Sequence, residues 1–186
     1  MKKENGLSIL RQFIMEYGSI MGISWTAIFA LYVIGLRSGN GIFLIIALFG
    51  LIALLVQDFY FGIRIKIRTI QLGLTLSPLF TYINIFSMFM YASLICGALE
   101  YFYFSLLDHG ALVGALQNMM ENKATQEMYN QMGMKESYQQ ARSLITEIGS
   151  LSALDKVIIL FNQNFFTGMI IAIPVTVANW LYRHKS

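Results

Sequence analysis

The sequence predicts an all-α polytopic membrane protein with four transmembrane helices and a helical hairpin outside the membrane. Three observations predict this fold class. Of the 186 residues, 56% are hydrophobic and only 12% are charged, whereas a soluble domain carries about a quarter charged residues. The apolar residues are gathered into four long runs, and the longest polar stretch separates the last two runs. This composition argues against a disordered chain, a disulfide scaffold and an ordinary water-soluble enzyme.

Each apolar run is long enough to cross a membrane as a helix. A hydrocarbon core of roughly 30 Å needs about 20 helical residues. Only helices or closed barrels satisfy the backbone in lipid, and the alternating segments typical of a membrane barrel are missing from the sequence. The predicted spans are 17–36, 41–63, 78–104 and 153–182, in a single membrane domain over 1–186.

The N-terminal arm is predicted to be retained and to form a short helix at the membrane interface. The first apolar run begins well after Lys2 and Lys3 and ends without a small-residue cleavage pattern, so a cleaved signal peptide is not indicated. In the segment 7–16, apolar residues at positions 7, 9, 10, 13 and 14 have helical spacing.

The loop after the second span, IRIKIRTI at 63–70, alternates strictly and supports two interpretations. One is an extended segment at the interface and the other is an extension of the second helix; the pattern does not decide between them. Ser77 and Pro78 then supply an N-cap and a proline at the first helical position, so the third helix is predicted to begin there.

The region 108–151 is predicted to form a helical hairpin. An i, i+4 ladder of apolar residues runs from Leu112 to Met132 and is broken by Gly133, and a second helical pattern follows. Ser152 and Asp155 have the spacing of a capping box before the fourth span. The hairpin is too small for a core of its own, so it should pack on itself and on a partner.

The basic residues predict the orientation. Eight of them lie in the N-terminal arm, the second loop and the C-terminal tail, which share one side of a four-span protein. Both termini are therefore expected in the cytoplasm and the hairpin outside it. The net charge of +3 is a topology signal and gives no case for nucleic-acid binding. These eight residues are Lys2, Lys3, Arg11, Arg64, Lys66, Arg68, Arg183 and Lys185.

One candidate polar cluster joins the third and fourth spans. Glu100 lies near the end of the third span, and Asn162, Gln163 and Asn164 are expected at matching depth on the fourth. An ionisable side chain inside a membrane marks a functional site by default, here one for an ion, a proton or a polar headgroup. The structural alternative, which the position near a helix end favours, is that Glu100 reaches the interface while the amides join the helices.

A second candidate group consists of ion pairs at the cytoplasmic face. Asp58 lies near the end of the second span, with Arg64 and Arg68 close in sequence and Arg183 at similar depth. Charges at such positions commonly reach the interface and fix helix ends, so the structural interpretation is favoured.

No cofactor or metal site is predicted. Cys96 is the single cysteine and lies within a span, while His109 and His184 are far apart. Five methionines between Met119 and Met134 would suit Cu(I), but no cysteine or histidine supports them, and methionines also fill loosely packed contacts. Small-residue pairs such as Gly18 and Gly22 either pack the bundle or build a dimer.

Several features of the sequence occur together: the four spans, the stretch IRIKIRTIQLGLTLSPLFTYINIF, the third-helix ending EYFYFSLLDHGAL, the polar hairpin and the short basic tail. In this combination the chain resembles the domain-of-unknown-function 4199 family of small bacterial inner-membrane proteins. It covers nearly the whole chain. It implies a bacterial inner-membrane location and no established activity, so no catalytic residue is carried over.

These features favour a non-enzymatic accessory subunit in contact with membrane lipids, which binds another membrane protein or a second copy of itself through the hairpin. The first alternative is a small transporter or flippase for a lipid-linked or polar substrate, using Glu100, Asn162 and Asn164. The second alternative is a membrane enzyme, for which Glu100, Asp108 and His109 form the one outward group worth considering.

Overall fold

The computed structural model describes residues 2–74 and 77–181, and within those ranges the chain is helical and contains no strand. A π-helical turn, Tyr103–Leu107, continues α3 towards the connection with α4. The helices are α1 Lys2–Ser38, α2 Gly41–Gln71, α3 Pro78–Phe102, α4 Ala111–Glu121, α5 Lys123–Gln131, α6 Lys135–Ser150 and α7 Ala153–Leu181.

Within the described residues, four helices are long and apolar enough to cross a membrane, and they correspond to the four predicted spans. They cover Asn5–Ser38, Gly41–Gln71, Pro78–Leu107 and Ala153–Trp180. Large apolar side chains point away from the bundle along α2, where Ile42, Phe49 and Val56 are each about two-thirds exposed. An apolar surface of this extent is suited to lipid contact.

The third helix, α3, forms the centre of the bundle, with α1 on one side and α7 on another. Its side chains Ile85, Met88 and Phe89 are fully buried, and they pack with Met21 of α1 and Ala172 of α7. We call the end of the bundle near α4–α6 the hairpin end and the opposite end the terminal end. The helices α1 and α3 run towards the hairpin end, while α2 and α7 run away from it.

Glycines set the close approach of α1 to α3. A Cβ atom on Gly18 would lie 2.7 Å from the carbonyl oxygen of Met88, and one on Gly22 would lie 2.6 Å from that of Ala92. Any larger residue would force the two backbones apart. The small-residue pair of α1 therefore packs inside the bundle.

The N-terminal segment continues into the first span and does not form a separate interfacial helix. The helix α1 is unbroken from Lys2 to Ser38 because no proline interrupts it. Leu10 and Ile14 are buried in the same core cluster as Phe61 and Ile65 of α2. The predicted helical periodicity of this segment is confirmed, but its apolar face packs against α2 instead of lying at the membrane interface.

The alternating stretch 63–70 is an extension of α2. Ile65 and Thr69 are one helical turn apart and both are buried, while Arg64 lies on an exposed face. The helical period replaces the alternation: Lys66 is buried beside Ile65, whereas Ile63 and Ile67 are exposed.

The predicted caps are confirmed. The Ser77 hydroxyl accepts a hydrogen bond of 3.1 Å from the Phe80 N–H, and Pro78 occupies the first helical position of α3. Before α7, the Ser152 Oγ accepts from the Asp155 N–H at 3.2 Å. The helical segment between the third and fourth spans is interrupted at Gly133, as predicted. It is also interrupted at Asn122, whose side chain caps α5.

Candidate functional site

A cleft of about 640 Å³ separates α1 from α3 towards the hairpin end. We call it the α1–α3 cleft. Its walls come from α1 on one side and from the end of α3 with the π-helical turn on the other. The lining residues are Thr26, Phe29, Ala30, Val33, Ile34, Arg37 and Ser38 of α1, and Leu99, Glu100, Tyr103 and Leu107.

The cleft begins where the glycine contact ends. Gly22 brings α1 into contact with the backbone at Ala92, and the next lining residues of α1, Thr26 and Phe29, carry larger side chains. The π-helical turn, in which the Asp108 N–H bonds to the carbonyl of Tyr103 five residues earlier at 2.9 Å, contributes Tyr103 and Leu107 to the lining. Single π-turns within helices are frequent at functional sites.

Glu100 lines this cleft as a buried acid. Its side chain is only 3% exposed. The Oε1 atom accepts a hydrogen bond of 3.4 Å from the Cys96 thiol, whereas Oε2 has no hydrogen-bond partner within the described residues. A buried carboxylate without a strong donor or a counter-ion is costly, so this oxygen is suited to a group that the protein itself does not supply.

Aromatic rings form the wall next to Glu100. Phe29 and Tyr103 meet edge to face with centroids 5.7 Å apart, and Phe104 lies 5.1 Å from Tyr103. The Tyr103 hydroxyl donates to the Asp108 Oδ1 at 2.8 Å, which fixes the ring. The cleft thus combines one acidic group with aromatic and aliphatic walls, as ligand sites commonly do.

The cleft has a deep end and a mouth. A Cβ atom on Gly22 would lie 2.8 Å from Ile95, so these residues mark a common level. At about 1.5 Å per helical residue, Glu100 lies about 7 Å beyond that level and Arg37 about 22 Å beyond it. Arg37 is exposed and forms part of the mouth, while Glu100 lies at the deep end.

The amides of α7 are not joined to Glu100. Asn162 and Gln163 are exposed, and Asn164 is half-buried. Val157 and Phe161 are the α7 side chains nearest to Gly97. From that level Glu100 lies towards the hairpin end, whereas the amides lie towards the terminal end. The amides therefore lie roughly 9–12 Å from the level of Glu100 along the bundle at about 1.5 Å per residue, and the expected matching depth is wrong.

Asp58 is buried near the middle of α2 and forms no ion pair with Arg64 or Arg68. It is 2% exposed, and its Oδ1 has no partner among the residues that the structure describes. Because α2 extends to Gln71, Asp58 is far from the helix end. Arg64 instead donates to the Tyr60 hydroxyl at 2.9 Å, and Arg68 lies over the ring of Phe13. Arg183 lies outside the described residues.

A polar link between α2 and α7 was missed from the sequence. The Lys66 Nζ donates to the carbonyl oxygen of Asn179, and the Asn179 side chain donates to the carbonyl of Gly62 at 3.1 Å. An adjoining cavity of about 20 Å³, lined partly by Thr81 and Thr176, is large enough for one water molecule. The available signal was the position of Lys66 one residue after Ile65, next to the buried face.

The remaining candidate groups serve local structure or stay apart. Asp108 accepts hydrogen bonds from the N–H groups of Gly110 and Leu112, so its oxygens hold the start of α4. His109 is exposed with a φ of 43°. Across the described ranges, no group of three or more His, Cys, Asp or Glu side chains is placed to hold a metal ion. His184 lies beyond the described residues.

Comparison with known protein families gives a match over most of the chain. A family model described as "Protein of unknown function (DUF4199)" matches residues 16–178, which include most of the four long helices and all of α4–α6. No curated protein and no solved structure matches the chain.

Proposed function

Because this chain belongs to the DUF4199 family, whose description assigns no activity, we propose a function from its geometry: it is a small membrane transporter or flippase that binds an amphiphilic molecule in the α1–α3 cleft. The observation that carries this proposal is the unpartnered Oε2 of Glu100 at the deep end of a cleft with mainly apolar walls. Such a site offers one specific polar contact and a long apolar surface.

The dimensions of the cleft support an elongated ligand. From Thr26 to Ser38 its α1 wall spans about 18 Å at about 1.5 Å per residue. The lining residues come from α1 and from α3 with its π-helical turn. The side of the cleft that neither helix covers is available for entry from the surrounding lipid. Asn162 and Asn164 have no part in this version of the site.

The proposal includes an orientation in the bacterial inner membrane. Both termini lie in the cytoplasm and 108–151 lies in the periplasm, in keeping with the excess of basic residues at the terminal end. The cleft then opens towards the outer leaflet. A fluorescent protein that matures only in the cytoplasm should fluoresce when fused after Ser186, and a dark but expressed fusion would reverse the orientation.

The second candidate function is an accessory subunit that binds a second copy or another membrane protein through α4–α6. Its support is the exposure of large apolar side chains there: Met128, Met132 and Leu144 are 51%, 63% and 56% exposed. Met128 of α5 is one helical turn before Met132 at the end of that helix, so the two side chains are neighbours, and contiguous exposed apolar groups mark protein contacts.

Photo-crosslinking separates the two functions. A photoreactive benzoylphenylalanine in place of Phe29 should capture a small amphiphile in intact membranes, because this side chain lines the cleft. The same group in place of Met128 probes α5. A protein adduct at Met128 together with no enriched small adduct at Phe29 would favour the accessory subunit and contradict the transporter.

A further inference from the structure

We propose that the ligand of the α1–α3 cleft is a lipophilic organic cation, whose positive charge is bound by Glu100 and the adjoining aromatic rings. This inference rests on the proposed function, since it names the ligand class of the same cleft. It adds the requirement that the ligand be positively charged, which the binding of an amphiphile alone does not impose.

The charge requirement follows from what faces Glu100. Its Oε2 is buried and has no partner in the described part of the chain. The backbone of Arg37, the basic residue among those that line the cleft, is about 15 Å further along the bundle at about 1.5 Å per residue, and its side chain reaches back to the Tyr103 hydroxyl without pairing with Glu100. Lys156 lies over the ring of Phe104, with its Nζ 5.8 Å from the ring centroid. A cation carried by the ligand would neutralise the carboxylate in a site of low dielectric, where such a pair is strong.

The neighbouring rings favour an organic cation. Phe29 and Tyr103 both line the cleft and lie in contact with each other. Aromatic faces attract ammonium-like groups, and the attraction is larger when the cation is desolvated. The other walls, such as Val33 and Leu99, suit the apolar part of the same molecule.

A bare metal ion and an anion fit the cleft less well. Hard cations require several oxygen ligands, and Glu100 is the one acidic side chain among the described residues of the lining. An anion would place like charges together at the deep end. The exposed Arg37 reaches the Tyr103 hydroxyl, which donates to Asp108, so the Asp108 carboxylate offsets the Arg37 charge and weakens its opposition to a cation.

Equilibrium binding to the full chain in nanodiscs tests this inference with two probes of the same shape. Tetraphenylphosphonium is a lipophilic cation, and tetraphenylborate is its anionic counterpart. We expect saturable binding of tetraphenylphosphonium to the wild-type chain and a loss of affinity of about tenfold or more in Glu100→Gln, which removes the charge and keeps the shape of the side chain. Glu147→Gln, at an exposed position of α6, should bind as wild type does.

A second variant keeps the test valid if Glu100→Gln fails to fold. Ala30 lines the cleft and is exposed, so Ala30→Phe should block the cleft without disturbing the core. Its control is Ala53→Phe, at an exposed position of α2. Equal binding of both probes, with loss only in Ala30→Phe, would overturn the charge requirement and leave the proposed function intact. Absence of Ala30-dependent binding of tetraphenylphosphonium would overturn the cation inference, whereas the proposed function is contradicted only by the absence of an enriched small adduct at position 29.

Discussion

Replacing Gly18 and Gly22 together with valine is expected to destabilise the bundle by about 1–3 kcal/mol at each site, which is the usual cost of overpacking a close contact. The reason is that both positions face backbone atoms of α3. A Cβ atom would lie 2.7 Å from the Met88 carbonyl oxygen at Gly18 and 2.6 Å from that of Ala92 at Gly22. Neither backbone group can move aside without displacing α3 from α1.

The measurement is unfolding of the purified chain in a titration with dodecyl sulfate, followed by the loss of helical circular dichroism. Gly114→Val is the matched control, because Gly114 lies in a helix and nothing is within 4 Å of an added Cβ there. It should shift the transition little. Equal shifts for the control and the double variant would show that valine harms any helical glycine, and the close approach of α1 to α3 would then be refuted.

Replacing Asp58 with valine is expected to stabilise the bundle by about 2 kcal/mol. A carboxylate near the middle of a membrane helix costs about 2.5–3.5 kcal/mol on insertion scales, and the unpartnered Oδ1 of Asp58 recovers none of it within the described residues. Valine fills most of the same space with apolar atoms. The gain is reduced by the imperfect fit of its branched side chain.

The control for this variant is Thr69→Val on the same buried face of α2. The Thr69 hydroxyl donates to the Ile65 carbonyl at 2.7 Å, but this carbonyl also accepts the helical N–H of Thr69, so valine leaves no buried group unpaired and its effect should be small. The same dodecyl sulfate titration compares the two. Destabilisation by Asp58→Val of several kcal/mol would mean that the carboxylate has a strong partner, as broken buried pairs cost about 3–5 kcal/mol.

The helices could be predicted from the sequence because their signals are local. The four spans follow from apolar runs longer than a membrane requires, and the start of α3 follows from Ser77 and Pro78. Glu100 stood out for the same reason, as a charge within an apolar run. Each of these features depends on residues close together in the chain.

The neighbours of Glu100 could not be predicted, because they depend on how helices are shifted along one another. The register between α3 and α7 is set by contacts such as that of Gly168 with Phe89. A Cβ atom added to Gly168 would lie 2.7 Å from the Cβ atom of Phe89. A shift of two turns would have been needed to bring Asn162 beside Glu100. The π-helical turn at Tyr103–Leu107 has no recognised sequence signal, yet it helps to shape the cleft.

The identity of what lies in the α1–α3 cleft tests the central claim most directly, and crosslinking from position 29 in intact membranes measures it. Benzoylphenylalanine at the exposed position Ile52 of α2 reports the bulk lipid, because that side chain faces away from the bundle. We expect the adduct at position 29 to be enriched in one amphiphile relative to the adducts at position 52, and the enrichment to vanish when Ala30→Phe is added. The same mixture of bulk lipids at both positions would contradict a ligand site in the cleft.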